Sequence, residues 1–335
     1  MKTICKNKPK NSENKDDKPN DFSKPCLNII RSMTKKENPC LDVLIIGDSV
    51  MSVVSTKDNN KTNLFEMLLT KLKSYEDLKV DGIYHTGFHF GTFYLILHLF
   101  NFFNKLPSLV VLPINIRSFL PQWDKHPDYH KDPICEIYNF LRSSDYDFGN
   151  TYGIEKPTTY DDYITTKENY PFLSIKSNGE FLAWVDRKTG DQKEYFERYR
   201  QIFIWHHLAS IDDKNRKYLF LKQIIELLTQ NGVKLYCYIT PINYLKAEEF
   251  VGIDFKYYFE KNISIIKQLF LNKEKTNLCF FNDFSRLLKP SYFIHENESA
   301  EHLNIRGRRN LTDMVLKNVK ELIKTKTKSK KDVYL

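Results

Sequence analysis

Short apolar runs alternate with segments of helical spacing along most of the chain. The apolar runs cover residues 41–47, 79–85, 108–115, 233–240 and 277–282. The first, LDVLIIG, is apolar at almost every position, which is typical of a parallel strand covered on both faces. The intervening segments predict helices over 63–75, 90–104, 191–207, 211–230, 255–271 and 306–323. Strands that alternate with helices predict an α/β fold: a doubly wound, mainly parallel, five-stranded sheet.

Residues 123–200 break this rhythm, because they are polar, rich in Asp and Tyr, and interrupted by Gly and Pro. The segment holds 9 of the 20 Tyr and two of the three Trp. We interpret it as an aromatic-rich insertion that divides the sheet domain into residues 40–122 and 201–323. Two interpretations stay open: the aromatic faces bind sugar rings, or they simply pack a subdomain that is poor in aliphatic residues.

The net charge of +9 arises from 51 Lys and Arg against 42 Asp and Glu. Residues 1–40 carry a net +5 and residues 317–335 another +5, so residues 41–316 sum to −1. Because a nucleic-acid-binding protein needs a basic surface on its folded body, this distribution argues against such a partner. We expect residues 1–39 to be a disordered basic segment. We expect residues 324–335 to be a basic tail, and both ends could contact an anionic membrane surface.

Neither a secretory signal nor a membrane span is predicted. The first 36 residues lack an apolar signal core, and no window reaches 18 uncharged apolar residues. The most apolar stretch, 88–103, includes two His, which favours a buried helix instead. Six Cys at irregular spacing, with no CxxC pair, favour free thiols in a reducing compartment. A cytoplasmic location, with a peripheral membrane contact as an option, is therefore expected.

Polar residues follow the predicted strands at the edge where parallel sheets form their binding sites. Gly47-Asp48-Ser49 ends the first strand, Gly87 follows the second, Asn115 ends the third, and His302 precedes the last helix. Each position has an ordinary explanation as a turn, a helix cap or a polar loop. Together they supply a hydroxyl, a backbone N–H, an amide donor and an imidazole, which are the groups that acyl transfer requires.

In this order, these residues resemble the SGNH (GDSL-like) hydrolase and acyltransferase superfamily, over about residues 41–120 and 233–323. Gly47-Asp48-Ser49 is similar to the nucleophile block, and His302-Leu303-Asn304 to the last block. The stretches IRSFLPQWD (116–124) and YITPIN (238–243) are similar to members that modify polysaccharides. The resemblance implies a flavodoxin-like fold and a catalytic His302.

The chain departs from this pattern at one position. The family usually has an Asp three residues before the His, and here that residue is Ser299. Glu298 is the candidate third catalytic residue. A backbone carbonyl near Ser299 is an alternative, as is a weakened or inactive site. Glu301 is the least favoured partner, because adjacent side chains diverge.

The resemblance implies Ser49 as nucleophile and His302 as general base. The oxyanion would be held by the backbone N–H groups of Ser49 and Gly87 and by the Asn115 amide. Water would complete an esterase reaction, and a sugar hydroxyl would complete an O-acyltransferase reaction. The expected substrate is an acylated carbohydrate or cell-envelope polysaccharide precursor. No cofactor is expected, apart from acyl-coenzyme A as co-substrate of a transferase. The alternative function is a catalytically inactive protein that binds a glycan or a partner protein.

Further candidates lie near the third strand. Asp48, Arg117, Trp123 and Asp124 are predicted to line the substrate pocket. Alternating Asp and His over 124–130 raise the question of a metal site, but Pro127 and the lack of a further anchoring ligand favour a polar loop. No metal is expected, and the oligomeric state is not predicted.

Overall fold

The five predicted strands form one sheet in which every neighbouring pair is parallel. The computed structural model describes residues 26–75, 77–120, 131–146, 178–189, 195–271, 277–299 and 301–331. The strands are β1 Val43–Gly47, β2 Val80–Tyr84, β3 Leu109–Ile114, β4 Lys234–Ile239 and β5 Cys279–Asp283. Their spatial order is β2-β1-β3-β4-β5, which is the flavodoxin-like order. The predicted fold class is confirmed.

Helices connect and flank the strands. They are α1 Cys26–Met33, α2 Ser49–Ser52, α3 Leu64–Lys73, α4 Phe90–Phe102, α5 Lys131–Ser143, α6 Asn178–Thr189, α7 Tyr195–His207, α8 Arg216–Gln230, α9 Tyr244–Val251, α10 Ile253–Leu271 and α11 Ile305–Lys331. None of the helices in the described ranges combines the length and the apolar character that crossing a membrane requires.

Side chains of alternate strand positions enter two separate cores, as the period of two in a β-strand dictates. Leu44 and Ile46 of β1 join the core formed with α4, α8 and α10. Val43 and Ile45 join the opposite core, which contains apolar side chains of α3 and α11. All five residues of β1 are buried, which explains why its sequence is an apolar run without alternation.

The structure also contains helices that the sequence analysis did not predict. Helix α1 lies inside the segment predicted to be disordered, and its Ile30 is fully buried in the core around α4. Residues 1–25 lie outside the described residues. Helix α9 follows β4, and α11 extends to Lys331, past the predicted end at 323.

Described parts of the 123–200 insertion pack on the main core. Ile137 and Leu141 of α5 and Phe181 and Val185 of α6 are fully buried in the same cluster as α4. The ring of Trp184 stacks on Phe181. For these residues packing accounts for the apolar and aromatic side chains, whereas much of the insertion lies outside the described residues.

Candidate active site

The candidate residues meet where the chain reverses its winding direction. After β1 the chain crosses to β2 at the sheet edge, and it then returns to β3 on the other side of β1. This reversal opens a crevice at the carboxyl ends of β1 and β3, where α/β folds usually bind ligands. Ser49 follows β1 directly, and Asn115 follows β3.

The turn after β1 presents Ser49 at the start of the short helix α2. Asp48 is the N-cap, and its Oδ1 accepts a hydrogen bond from the backbone N–H of Val50 at 3.0 Å. Gly47 is needed because a Cβ there would collide with the Met51 side chain and lie 3.4 Å from Pro113. The missing Cβ of Gly47 therefore leaves room for the Met51 side chain of α2 directly beside the end of β1.

The structure brings the imidazole of His302 to that hydroxyl. His302 Nε2 and Ser49 Oγ are 3.3 Å apart, although the residues are 253 positions apart in the chain. This distance is slightly longer than in a typical catalytic contact, and such contacts are often longer without a substrate. Burial lowers the pKa of His302 below its ordinary value, while the Glu301 carboxylate raises it. His302 is therefore neutral at pH 7 and can accept a proton.

Several hydrogen bonds fix the backbone around His302. Its carbonyl accepts a bond from the N–H of Ile294 at 2.9 Å. Asn304 then caps α11, because its Oδ1 accepts bonds from the N–H groups of Arg306 and Gly307. The imidazole is thus placed by a capped helix end, as its sequence position before the last helix predicted.

A buried arginine ties this helix end to the segment after α2. Arg308 is 1% exposed, and its Nη1 lies 2.8 Å from Asp58 Oδ2. The same nitrogen donates to the carbonyl of Leu303 at 2.7 Å, while Nε donates to the carbonyl of Thr62. Arg308 therefore links the segment that follows α2 to the first turn of α11, close in the chain to His302.

The candidate oxyanion donors lie at the next two strand ends. Gly87 has φ of 86°, a left-handed conformation that glycine adopts without strain, and it lines the crevice. The Asn115 Oδ1 accepts a bond from the N–H of Arg117 at 3.1 Å, so its Nδ2 is the end of the amide that serves as a donor. Nδ2 carries two hydrogens, and one of them is donated to Asp48 Oδ2 at 3.2 Å.

The turn after β3 is held from behind by α8. The Lys217 side chain, fully buried, donates from Nζ to the carbonyls of Ser118 at 3.0 Å and Leu120 at 3.3 Å. Asn215 Nδ2 donates to the carbonyl of Phe119 at 3.1 Å. These three bonds fix the backbone on which Asn115 and Arg117 stand.

Asp48 lies beneath the candidate oxyanion donors and is 6% exposed. Burial raises its pKa to about 6, although bonds from Val50, Asn115 and Ser118 favour the ionised form. Its carboxylate is bonded to the protein on both oxygens, so it positions Asn115 and Ser118. The structure thus gives Asp48 partners within the protein and also places it in the lining of the cavity. Its contact with substrate stays a prediction.

An ion pair closes the side of the crevice next to His302. Arg117 Nη1 and Glu301 Oε1 are 3.0 Å apart, and the Glu301 side chain is 2% exposed. Burial by itself would raise the pKa of Glu301, but the Arg117 guanidinium holds it well below its usual range. Glu301 is therefore ionised. Arg117 lies in the crevice as predicted for a lining residue, and the contribution of Glu301 was missed.

The residues before His302 are arranged differently from the predicted options. Glu298 is half-exposed, and its carboxylate lies 3.8 Å from His295 Nδ1. The Ser299 carbonyl and hydroxyl both bond His206 Nδ1, at 3.0 and 2.6 Å. Within the described part of the chain, the side chain of His302 hydrogen-bonds Ser49 alone. The structure therefore does not bring Glu298 to His302.

The crevice encloses a cavity of about 150 Å³. Its lining includes the four candidate residues Ser49, Gly87, Asn115 and His302, together with Asp48, Arg117, Glu301 and the apolar side chains of Val53 and Phe88. A larger depression, of about 280 Å³, lies at the opposite edge of the sheet near Leu41 and Val80. Its lining residues contain neither a Ser nor a His, so the smaller cavity is the candidate active site.

Other predicted residues cannot be placed. Trp123 and Asp124 lie outside the described residues, as do His126, Asp128 and His130. Among the residues that are described, no three His, Cys, Asp or Glu side chains are grouped so that they could hold a metal ion.

Comparison with known proteins yields similar solved structures only. No protein-family model matches the chain, and no curated protein matches it. The acetylxylan esterase Axe2 from Geobacillus stearothermophilus is similar at 13% sequence identity, over 84% of this chain and 95% of that chain, with a TM-score of 0.39. A structure from Streptococcus pneumoniae, described as a platelet activating factor, is similar at 12% identity, over 88% of this chain and 90% of that chain, also with a TM-score of 0.39.

Proposed function

We propose that the protein performs ester chemistry on an acylated carbohydrate through an acyl-Ser49 intermediate. The observation that carries the proposal is the 3.3 Å approach of His302 Nε2 to Ser49 Oγ inside a cavity that also holds Gly87 and Asn115. A serine hydroxyl is a weak nucleophile until a base takes its proton, and a neutral buried imidazole supplies that base.

The reaction proceeds in two halves. In the first, Ser49 Oγ attacks the ester carbonyl while His302 Nε2 takes the hydroxyl proton. The carbonyl oxygen becomes an oxyanion, which receives hydrogen bonds from the N–H groups of Ser49 and Gly87 and from Asn115 Nδ2. The C–O bond then breaks, and His302 returns its proton to the departing alcohol. In the second half, water or a sugar hydroxyl gives its proton to His302 Nε2 and attacks the acyl carbonyl. The bond from the acyl carbon to Ser49 Oγ then breaks, His302 returns the proton to Ser49 Oγ, and the acid or the acylated sugar leaves.

The lining of the cavity favours a short acyl group. Val53 and Phe88 supply apolar surface, while the ion pair of Arg117 and Glu301 occupies one side. A cavity of about 150 Å³ leaves little room for a long acyl chain. The carbohydrate as substrate class rests on the resemblance of the sequence to polysaccharide-modifying members of the SGNH superfamily.

The test compares aryl acetate cleavage by the wild-type protein, Ser49→Ala and Ser52→Ala. Ser52 lies on the same short helix α2, and its hydroxyl bonds the Ser49 carbonyl at 3.3 Å. It does not line the cavity, so it is a matched control for serine removal. Ser49→Ala is expected to lose activity by a factor on the order of 10⁴ or more, while Ser52→Ala keeps it within about threefold.

Two further measurements distinguish the possible reactions. Mass spectrometry of the intact protein during turnover should show one added acyl group on the wild type and none on Ser49→Ala. Supplying acetyl-coenzyme A and oligosaccharides should then produce an acetylated sugar for a transferase, and free acetate for a hydrolase. Equal rates for wild type and Ser49→Ala would refute the proposal and favour the non-catalytic glycan-binding alternative.

A further inference from the structure

Among the residues that the structure describes, no carboxylate hydrogen-bonds the side chain of His302, which bonds Ser49. A base that takes a proton from serine becomes a cation, and an oriented carboxylate usually stabilises that cation. Ser299 stands where the resemblance implies an aspartate, and its hydroxyl and carbonyl are bonded to His206. Glu298 points to His295 at the half-exposed surface. Any carboxylate that serves His302 must therefore come from elsewhere.

Glu301 supplies a buried carboxylate in the cavity that contains His302. Glu301 precedes His302 in the chain and lines the same cavity, and its side chain is 2% exposed. Its Oε1 is fixed by Arg117 from the turn after β3. Its Oε2 is buried and has no hydrogen-bond partner among the residues that the structure describes. A buried ionic oxygen left without a bond is costly, and such groups are often retained for function.

We propose that Glu301, held in place by Arg117, is the positioning residue that stabilises His302 while His302 carries the Ser49 proton. It acts through the electric field and not through a hydrogen bond to Nδ1, which is why the divergence of adjacent side chains does not exclude it. The inference rests on the proposed function, because it assigns a role at the same site.

The charges around this pair support the assignment. Three neighbouring groups act on the pKa of His302 in opposite directions. Glu301 raises it, whereas Arg117 and His295 lower it. Of these three, Glu301 has the largest effect. Its negative charge therefore outweighs the arginine that holds it.

Glu301 itself faces His206, His207 and Asp48 in addition to its ion-pair partner. Burial lowers the pKa of both His206 and His207, so both are neutral at pH 7. Asp48 is ionised above a pKa of about 6 and contributes a second negative charge to the cavity. Because both histidines are neutral, the positive charge of Arg117 keeps Glu301 ionised at neutral pH.

The test measures the pKa of His302 by NMR of histidine-labelled protein, in the absence of substrate. Glu301→Gln removes the charge and keeps the size of the side chain. We expect it to lower the pKa of His302 by about one unit, as one nearby charge does at the effective dielectric of a protein. The kcat/KM for an aryl acetate should fall about 10-fold. The acid limb of its pH profile should move to lower pH by about one unit, as the pKa of His302 does.

The matched control is Glu298→Gln, which removes a carboxylate from the same loop outside the cavity. It should shift the pKa of His302 by less than about 0.3 units, because an exposed charge is screened by solvent. The double variant Arg117→Gln with Glu301→Gln removes both charges of the buried pair, and such replacements often preserve folding where single ones do not. It should lower the pKa of His302 by less than Glu301→Gln alone, with circular dichroism verifying the fold of each variant.

The inference is overturned if neither folded Glu301 variant lowers the pKa of His302, or if Glu298→Gln causes the larger shift. The NMR measurement requires no turnover. A protein that lacks esterase activity but shows the expected shifts would refute the proposed function and leave the electrostatic coupling of Glu301 and His302 standing. An active protein without the shifts would refute the coupling alone.

Discussion

Because the carboxyl of Asp48 is buried, we expect Asp48→Asn to stabilise the fold at high pH and to lower kcat. Asp48 is 6% exposed, and burial raises its pKa from 3.8 to about 6. At about 1.4 kcal/mol per unit, ionising Asp48 at pH 8 lowers the free energy of unfolding by about 3 kcal/mol. Because Asp48 has a higher pKa in the folded than in the unfolded protein, the free energy of unfolding has its full value below pH 4. It falls as the pH rises and the loss is complete above about pH 6.

Asp48→Asn removes the titrating group and preserves one acceptor oxygen for the N–H of Val50. Between pH 4 and pH 8 the wild type should therefore lose about 2 kcal/mol of unfolding free energy relative to the variant, which has no group to ionise at this position. The new amide N–H₂ cannot accept the bonds that Asn115 and Ser118 donate now. Asn115 should lose its orientation, and kcat should fall between about 10-fold and 100-fold.

The assay is denaturant unfolding at pH 4, 6 and 8, combined with aryl acetate kinetics at pH 8. Asp213→Asn, the same change at an exposed position, is the control. A difference for Asp48→Asn that is the same at pH 4 and pH 8 would refute the reasoning, since the burial penalty would then be absent. A variant with full kcat would refute the positioning of Asn115 by Asp48.

Three further predictions concern the groups that support the site. Lys217→Met should lower the unfolding free energy by about 2 kcal/mol and reduce kcat, because two buried carbonyls of the turn after β3 lose their donor; denaturant unfolding and kinetics measure both. Arg308→Met should cost about 3–5 kcal/mol by leaving Asp58 buried and unpaired, and Asp58→Asn in the same chain should recover part of that loss. Gly87→Ala should cost about 1–2 kcal/mol, because its φ of 86° disfavours a Cβ, and it should lower kcat more than it changes KM. Unchanged values in these measurements would contradict the contacts described.

The sheet was predictable because its strands are short apolar runs that local periodicity reveals. All five observed strands begin within two residues of the predicted positions, as for 41–47 against Val43–Gly47. Helix α1 was missed because its segment is dominated by the basic and polar residues around it, and the burial of Ile30 in the core cannot be inferred from composition. Helix α9 was missed because it is only eight residues long and directly precedes α10.

The residues of the candidate site could be predicted from the sequence more readily than the contacts between them. Ser49, Gly87 and Asn115 follow strands and His302 precedes the last helix, and the structure gathers them in one cavity. Their catalytic roles stay predictions. The pairing of Arg117 with Glu301 joins residues 184 positions apart, and no local pattern indicates it.

The separation of Ser49 from His302 along the chain also makes the proposed ester cleavage a signal of late folding. Ser49 belongs to the first β-α unit, whereas His302 reaches it only when the segment after β5 has closed and α11 has docked on α3. Contacts between such distant positions form late, because the chain between them must first become ordered. A folding intermediate with an intact β1–β4 sheet would have most of its native circular dichroism and no hydrolytic rate. If refolding is followed by circular dichroism and by hydrolytic rate, the rate should recover later than the dichroism. The delay would report the docking of the last helix.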